Sequence, residues 1–231
     1  MPIDSLKLLQ LTQLADSAFP IGTAAHSLGL ETLTAESVLS VPQLAVLLQD
    51  YLAELGAQEG LFCRAAHKMY AAFDESRWLE LNRRVSAFKL AREARKASAM
   101  MGKRFLQMVC ALQDAPVLQR AYTSALETSV DIHHAAAFGL TGAYLDIDQE
   151  LTVSTYLQQT TLSLVSASQR LLPLGQVQAA QILWTLKPDV LAAARKSKGV
   201  DLEGPASFCF PGLIEMAGMR HPALPTRLFI S

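Results

Sequence analysis

The sequence predicts an all-α protein that folds as a single-domain bundle of about eight to ten helices. Apolar residues recur every three or four positions through most of the chain, which is the spacing of a helix face buried in a core. The alternating Val and Ile runs with Asn-Gly or Asp-Gly turns that indicate hairpins are missing. Because 51% of the 231 residues are hydrophobic, the chain can bury a substantial core.

Two short helices are expected at the start of the chain. Leu8, Leu11 and Leu14 share one face of the first, and the turn Phe19-Pro20-Ile21-Gly22 ends it. The second carries the sequence TAAHSLGLETL.

The third helix begins with a capping box. Ser40 is the N-cap and Gln43 completes the Ser-x-x-Gln pattern, in which each residue satisfies a free amide of the other. This helix is expected to run to Ala72, with a bend at Gly56 or Gly60.

The middle of the chain has the clearest helical spacing. Apolar or small residues follow one another in steps of three or four from Trp78 to Leu112, which predicts a single long helix. On this face the residues Ala91, Ala94 and Ser98 are small, so a second helix could approach closely there. Further helices are predicted at about 117–130, 133–145, 151–171, 175–186, 188–197 and 209–219.

The domain organisation is predicted in three parts. Residues 1–197 form the helical domain, 198–207 form a flexible linker, and 208–231 form a short helix and a partner-binding tail. Pro222 and Pro225 prevent a regular helix in the tail. We expect that deleting residues 221–231 leaves a folded protein that has lost a partner.

One arginine interrupts a long neutral stretch. From Leu151 to Leu186 the only charged side chain is Arg170. Residues 151–169 include eleven Ser, Thr or Gln, which is too polar for a membrane span. Because Pro173 ends the helix, Arg170 lies in its last turn, where it either bonds to free carbonyls or contacts a partner.

Charge excludes a general affinity for polyanions. Twenty basic and twenty-one acidic residues nearly cancel, so neither nucleic acid nor an anionic membrane is favoured. Residues 74–104 are locally basic, with nine Lys or Arg against four Asp or Glu. This is either a solvated face with ion pairs among Arg92, Glu93 and Arg95, or a docking surface for an acidic partner.

The residues that could perform chemistry form no recognisable set. Three cysteines without CxxC spacing, and no signal peptide, favour the cytoplasm. Cys63 and His67 stand four apart, as two metal ligands could, but lack further ligands nearby. Neighbouring His133 and His134 point apart on a helix and cannot chelate one ion together. No common catalytic motif occurs, and no cofactor is expected.

Four segments, in this order, resemble the UreF family of urease accessory proteins. They are LLQLTQLADSAFPIGTAAHSLGLE, KLAREARKASAMMGKRFL, HHAAAFGLTGAYLDI followed by RLLPLGQ, and MRHPALPTRLFIS. The chain departs from the family pattern at Thr23 and Ala24, because a second small residue and then an aromatic residue commonly follow the Pro-x-Gly turn. The matching positions include Pro20, Gly22, His26, Ser27, Gly29, Glu31, His133, Gly139 and Pro173.

The resemblance implies an all-α, non-enzymatic chaperone that is usually dimeric. Such proteins assemble with UreD (also called UreH) and the UreG GTPase on apo-urease, promote nickel insertion into urease, and position or regulate UreG. The residues then expected to contact partners are Arg92, Glu93, Arg95, Arg170, Gly175, Gln176, Arg220, His221, Arg227, Leu228 and Phe229.

Two other functions stay open. One is an all-α enzyme or small-molecule-binding domain with a site near His26, Glu31, Cys63 and His67. The other, a DNA-binding regulator, is disfavoured by the neutral net charge and by the lack of a recognisable recognition helix.

Overall fold

The computed structural model describes residues 4–198 and 212–231, and its regular structure in these residues is helical throughout, without a strand. The predicted all-α fold is therefore confirmed. One cluster of buried apolar side chains extends from Leu11 to Phe229 and forms the core. Within the described ranges, no helix is both long and apolar enough to cross a bilayer. The predicted linker lies almost entirely outside the described residues.

The helices follow one another with short connections. They are α1 (Ser5–Leu14), α2 (Leu30–Ala35), α3 (Val41–Tyr51), α4 (Ala57–Met69), α5 (Glu75–Phe88), α6 (Arg92–Leu112), α7 (Pro116–Glu127), α8 (His134–Tyr144), α9 (Gln149–Leu171), α10 (Gln176–Thr185), α11 (Lys187–Lys196) and α12 (Gly212–Arg220). Single 3-10 turns occupy Thr23–Ala25, Tyr70–Ala72 and His221–Ala223.

Helix α8 is the centre of the bundle. Its residues His134 to Gly142 are all buried, because the sequence is apolar or small around the whole helix. It packs against α4, α6 and α9. A Cβ on Gly139 would lie 2.0 Å from the carbonyl oxygen of Cys63 on α4, so only glycine permits this helix contact.

The third predicted helix is confirmed as a nearly continuous element. The capping box is present, with the Ser40 amide donating to Gln43 Oε1 at 2.9 Å. Helix α3 passes into α4 through a wider π turn at Leu52–Gly56, close to the predicted bend.

The prediction of a single helix from Trp78 to Leu112 is wrong. The chain leaves helical geometry between Phe88 and Arg92, where Lys89 and Ala91 are extended. Tertiary contacts stabilise the break: Arg95 donates to the Lys89 carbonyl at 2.9 Å, and the Ala91 amide donates to Glu215 Oε1 at 2.5 Å. Neither contact can be read from the helical spacing.

The predicted second helix is only partly helical. The segment before Gly29 contains the 3-10 turn and an extended His26, and the helix starts at Leu30. Gly22 and Gly29 have φ of 90° and 96°, in the left-handed region. A Cβ on Gly29 would lie 2.5 Å from the carbonyl oxygen of Ile214, so this glycine lets α12 pack closely on α2.

We expect Gly139→Ala to lower the free energy of unfolding by about 3 kcal/mol, because the added methyl meets the backbone of α4. The control is Gly175→Ala, where nothing lies within 4 Å of the added Cβ. That change should cost at most about 1 kcal/mol, since only an N-cap preference is affected. Chemical denaturation of both variants makes the comparison, and equal stabilities would contradict the close contact.

Candidate functional site

The C-terminal tail, residues 221–231, is docked on the helical domain through a buried glutamate. Glu31, in the first turn of α2, accepts hydrogen bonds from the amides of Leu228 and Phe229 at 2.5 and 3.1 Å. A third bond, 2.9 Å long, joins its Oε2 to Nε2 of His221. One carboxylate therefore holds both ends of the tail.

His221 links two carboxylates inside this site. Its side chain is fully buried, with Nε2 facing Glu31 and Nδ1 facing Glu93 Oε2 at 2.6 Å. The other oxygen of Glu93 accepts from Arg227 at 3.2 Å. Carboxylates and nitrogen groups alternate here, so each carboxylate faces a hydrogen-bonding partner.

The last residues of the tail bond to the segment that precedes α2. The amide of Ser27 donates to the main-chain oxygen of Ser231 at 2.5 Å, and its hydroxyl does so at 3.0 Å. His26 Nδ1 lies 2.8 Å from the Ser231 hydroxyl, and the Ile230 amide donates to the Ala25 carbonyl at 2.9 Å. The tail is thus fixed along its length.

Arg170, in the last turn of α9, contacts both the tail and the segment that precedes α2. Its guanidinium carbon lies 4.2 Å from the centroid of the Phe229 ring, a cation–π contact, and Nη1 donates to the Ala24 carbonyl at 2.9 Å. The predicted position in the last turn of its helix is confirmed. The bond goes to another segment rather than to the free carbonyls of α9, so Arg170 joins the tail to the N-terminal turn.

Helix α12 brings the tail to this place. Glu215 accepts from the Ala91 amide at the start of α6, and Arg220 forms two bonds with the carboxylate of Glu36, 2.6 and 2.8 Å long. We name the residues that hold the tail, His26, Ser27, Glu31, Glu93 and Arg170, the tail-docking site.

The pKa of Glu31 reflects these contacts. Burial by itself would raise it, but the hydrogen bonds from Leu228, His221 and Phe229 and the charge of His221 outweigh that effect. The pKa of Glu31 therefore lies below its usual value. The tail-docking site favours the ionised carboxylate.

The other residues predicted to contact partners are spread over the surface. Arg92, Gly175 and Gln176 are exposed, and Arg95 bonds to Lys89 as described above. Leu228 is 54% exposed, whereas Phe229 is only 4% exposed and packs in the chain's own core. Of the predicted apolar anchors in the tail, Leu228 is thus open to a partner and Phe229 is not.

The residues considered as metal ligands or as a small-molecule site contact different parts of the protein. His67 Nε2 lies 2.9 Å from the Ile147 carbonyl oxygen, and buried Cys63 packs against Gly139, whereas His26 and Glu31 contact the tail. His133 lies between the hydroxyls of Ser86 and Ser98. Among residues 4–198 and 212–231, no three His, Cys, Asp or Glu are placed to hold a metal ion.

Comparison with known proteins identifies the family of this chain. The UreF family model matches residues 38–187. The chain is 32% identical to the urease accessory protein UreF of Geobacillus kaustophilus (strain HTA426) over 229 residues, which cover 97% of this chain and 98% of the relative. It is 30% identical to the urease accessory protein UreF of Bacillus sp. (strain TB-90) over 230 residues, with 97% and 99% covered. This chain belongs to the UreF family.

The family motifs are neighbours in space. His26, Ser27 and Glu31 come from the first segment, Glu93 from the second, Arg170 from the third and His221 from the last, and the contacts above join them. Residues from all four segments therefore meet in one site, whereas His133 and Gly139 of the third segment pack elsewhere in the core.

Sequence reasoning missed two buried glutamates. Glu215 holds the start of α6, and Glu59 contacts Lys89 and accepts from the Tyr156 hydroxyl at 2.7 Å. Burial by itself would raise the pKa of Glu59. The charge of Lys89 and the hydrogen bonds from Lys89 and Tyr156 have the larger effect, so this pKa lies below its usual value. A carboxylate on an otherwise apolar helix face was the available signal for Glu59.

We expect Glu31→Gln to lower the free energy of unfolding by about 1–3 kcal/mol at neutral pH, since an amide cannot satisfy all three donors. Because the folded state lowers the pKa of Glu31, its charge stabilises the protein above its unfolded pKa, and this contribution is lost as the pH falls through the folded value. Denaturation from neutral to acidic pH should show the variant and wild type converging. A constant difference would contradict the assignment.

Proposed function

We propose that this UreF-family chain is an assembly factor for urease. In the proposal it binds UreD/UreH, the UreG GTPase and apo-urease, positions or regulates UreG, and promotes nickel insertion without catalysing a reaction itself. Support comes from the relatives, which carry the name urease accessory protein, and from the tail-docking site, where the family motifs hold a segment that presents uncovered apolar side chains.

The surface proposed for UreD/UreH is the outer face of the C-terminal segment. Leu228 and Ile230 are 54% and 65% exposed, on either side of buried Phe229. Leu213, Met216 and Met219 recur every three residues on α12 and are also exposed. An uncovered apolar face of this kind favours a protein partner. The tail-docking site holds it in a fixed shape.

The surface proposed for UreG is the basic side of α6. Arg92, Lys96, Lys103 and Arg104 are exposed, and the spacing of the first three places them along one stripe of the helix. Glu93 on the same helix is occupied by His221 and Arg227, so it does not neutralise the stripe. A row of cations suits an acidic partner and speeds its association.

Helix α10 is a further part of the proposed assembly surface. After Gly175 and Gln176, the residues Val177 and Trp184 are 74% and 73% exposed, and α10 carries no charged side chain. A neutral, partly apolar helix face can be covered without the cost of desolvating ions. We assign this face to a further protein contact within the proposed complex.

The proposed homodimer would use α1 and the end of α6. Leu6 and Leu9 are 61% and 67% exposed, and Leu9 lines a groove with Met108 and Leu112. Exposed leucines beside a groove favour self-association.

The cytoplasm is the proposed compartment, in keeping with the free thiols of Cys63 and Cys110.

We predict that replacing Leu228 and Ile230 together by Glu abolishes co-purification with UreD/UreH while the protein stays folded. Both side chains point away from the chain's own core, so the changes place charge in the partner contact alone. Deleting residues 221–231 is a less clean test, because it also removes the partners of Glu31.

The matched control is Leu126→Glu on α7, a leucine that is 43% exposed and outside the proposed surface. It should co-purify as wild type does. Unchanged recovery of UreD/UreH with the double variant would reject the assigned surface, and loss of binding with the control would show a general effect of added charge.

A further inference from the structure

Both ring nitrogens of His221 face a carboxylate. Nδ1 lies 2.6 Å from Glu93 Oε2, Nε2 lies 2.9 Å from Glu31 Oε2, and the side chain has no exposure to solvent. A neutral imidazole carries one N–H, so it can donate to only one of these oxygens and would turn a lone pair toward the other. Only the imidazolium form donates in both directions.

We propose that docking of the C-terminal tail requires His221 with both nitrogens protonated, so that the tail is a latch released by loss of one proton. The latch is a property of the isolated chain. Its use, to withdraw or reshape the surface offered to UreD/UreH, rests on the proposed function.

The charges around His221 support a strong link to its protonation. It faces Glu31 from α2 and Glu93 from α6, and within the tail Arg227 bonds to Glu93. With His221 charged, two carboxylates are balanced by two cations. With His221 neutral, the site keeps an unbalanced negative charge, and one carboxylate oxygen faces a lone pair of a ring that has no exposure to solvent.

An unbalanced charge at Glu31 would disturb the other bonds that this carboxylate makes to the tail. Glu31 also holds the amides of Leu228 and Phe229, so a shift of its carboxylate loosens those bonds as well. Phe229, whose ring contacts Arg170, then also loses the bond from its amide to Glu31. Loss of the proton should therefore release the whole tail rather than a single bond.

The test follows the tail and the proton separately by NMR of the full chain without partners. The ring nitrogens of His221 report its protonation. The aromatic carbon-bound protons of Phe229 report docked and released tail, and they do not exchange with water at high pH. The ring of Phe138 in α8 is the control for an intact core, because it is 1% exposed.

In the wild type, both nitrogens of His221 should be protonated when the tail is docked. As the pH rises and His221 loses this proton, the ratio of docked to released tail should fall by up to ~10-fold per pH unit, as one coupled proton requires. The signals of Phe138 should not change. A docked tail that persists after His221 loses its proton would overturn the latch, as would a released tail while both nitrogens are protonated.

Glu93→Gln removes the negative charge of this side chain and keeps its size and shape. A glutamine amide can donate to the bare Nδ1 of a neutral imidazole that donates Nε2–H to Glu31, so no second proton is needed. Docking in this variant should show little pH dependence where the wild type releases its tail. Release as steep as in the wild type would overturn the proposal. None of these results depends on partner binding, so they stand apart from failure of the proposed function.

Discussion

The buried carboxylate of Glu31 is the constraint that organises this protein. A charge enclosed in the fold must be matched by donors, and the donors found among residues 4–198 and 212–231 come from 221–229, almost two hundred positions away in the sequence. Without the tail, Glu31 and the neighbouring Glu93 would both lose their partners. The N-terminal motif and the C-terminal segment therefore form one structural unit.

This unit also decides which surfaces are free. Because Phe229 lies under Arg170 and His221 lies between two glutamates, the tail presents Leu228 and Ile230 outward. A disordered tail would bury the same side chains on a partner only after losing conformational freedom, whereas a docked tail is already ordered. Residues first considered as partner contacts, such as Arg170 and His221, support the surface from within, which changes what their substitution would test.

The sequence was sufficient for the class of fold and for the helices whose spacing and caps are local, such as α3, whose capping box is present, and α9, which Pro173 follows. It was insufficient at the break between α5 and α6, because a distant glutamate, Glu215, stabilises that break. The sequence also named each residue of the tail-docking site as a candidate, but it did not place these residues together. Their meeting is a long-range contact that periodicity does not encode.

The most direct test of this account is a double-mutant cycle of Glu31→Gln and His221→Gln, read as free energies of unfolding at neutral pH. If the two side chains act as one buried unit, the double variant should be more stable than the sum of the single losses predicts, by more than about 1 kcal/mol. Additive losses, within about 0.5 kcal/mol, would show that Glu31 and His221 do not act as one buried unit and would contradict the account.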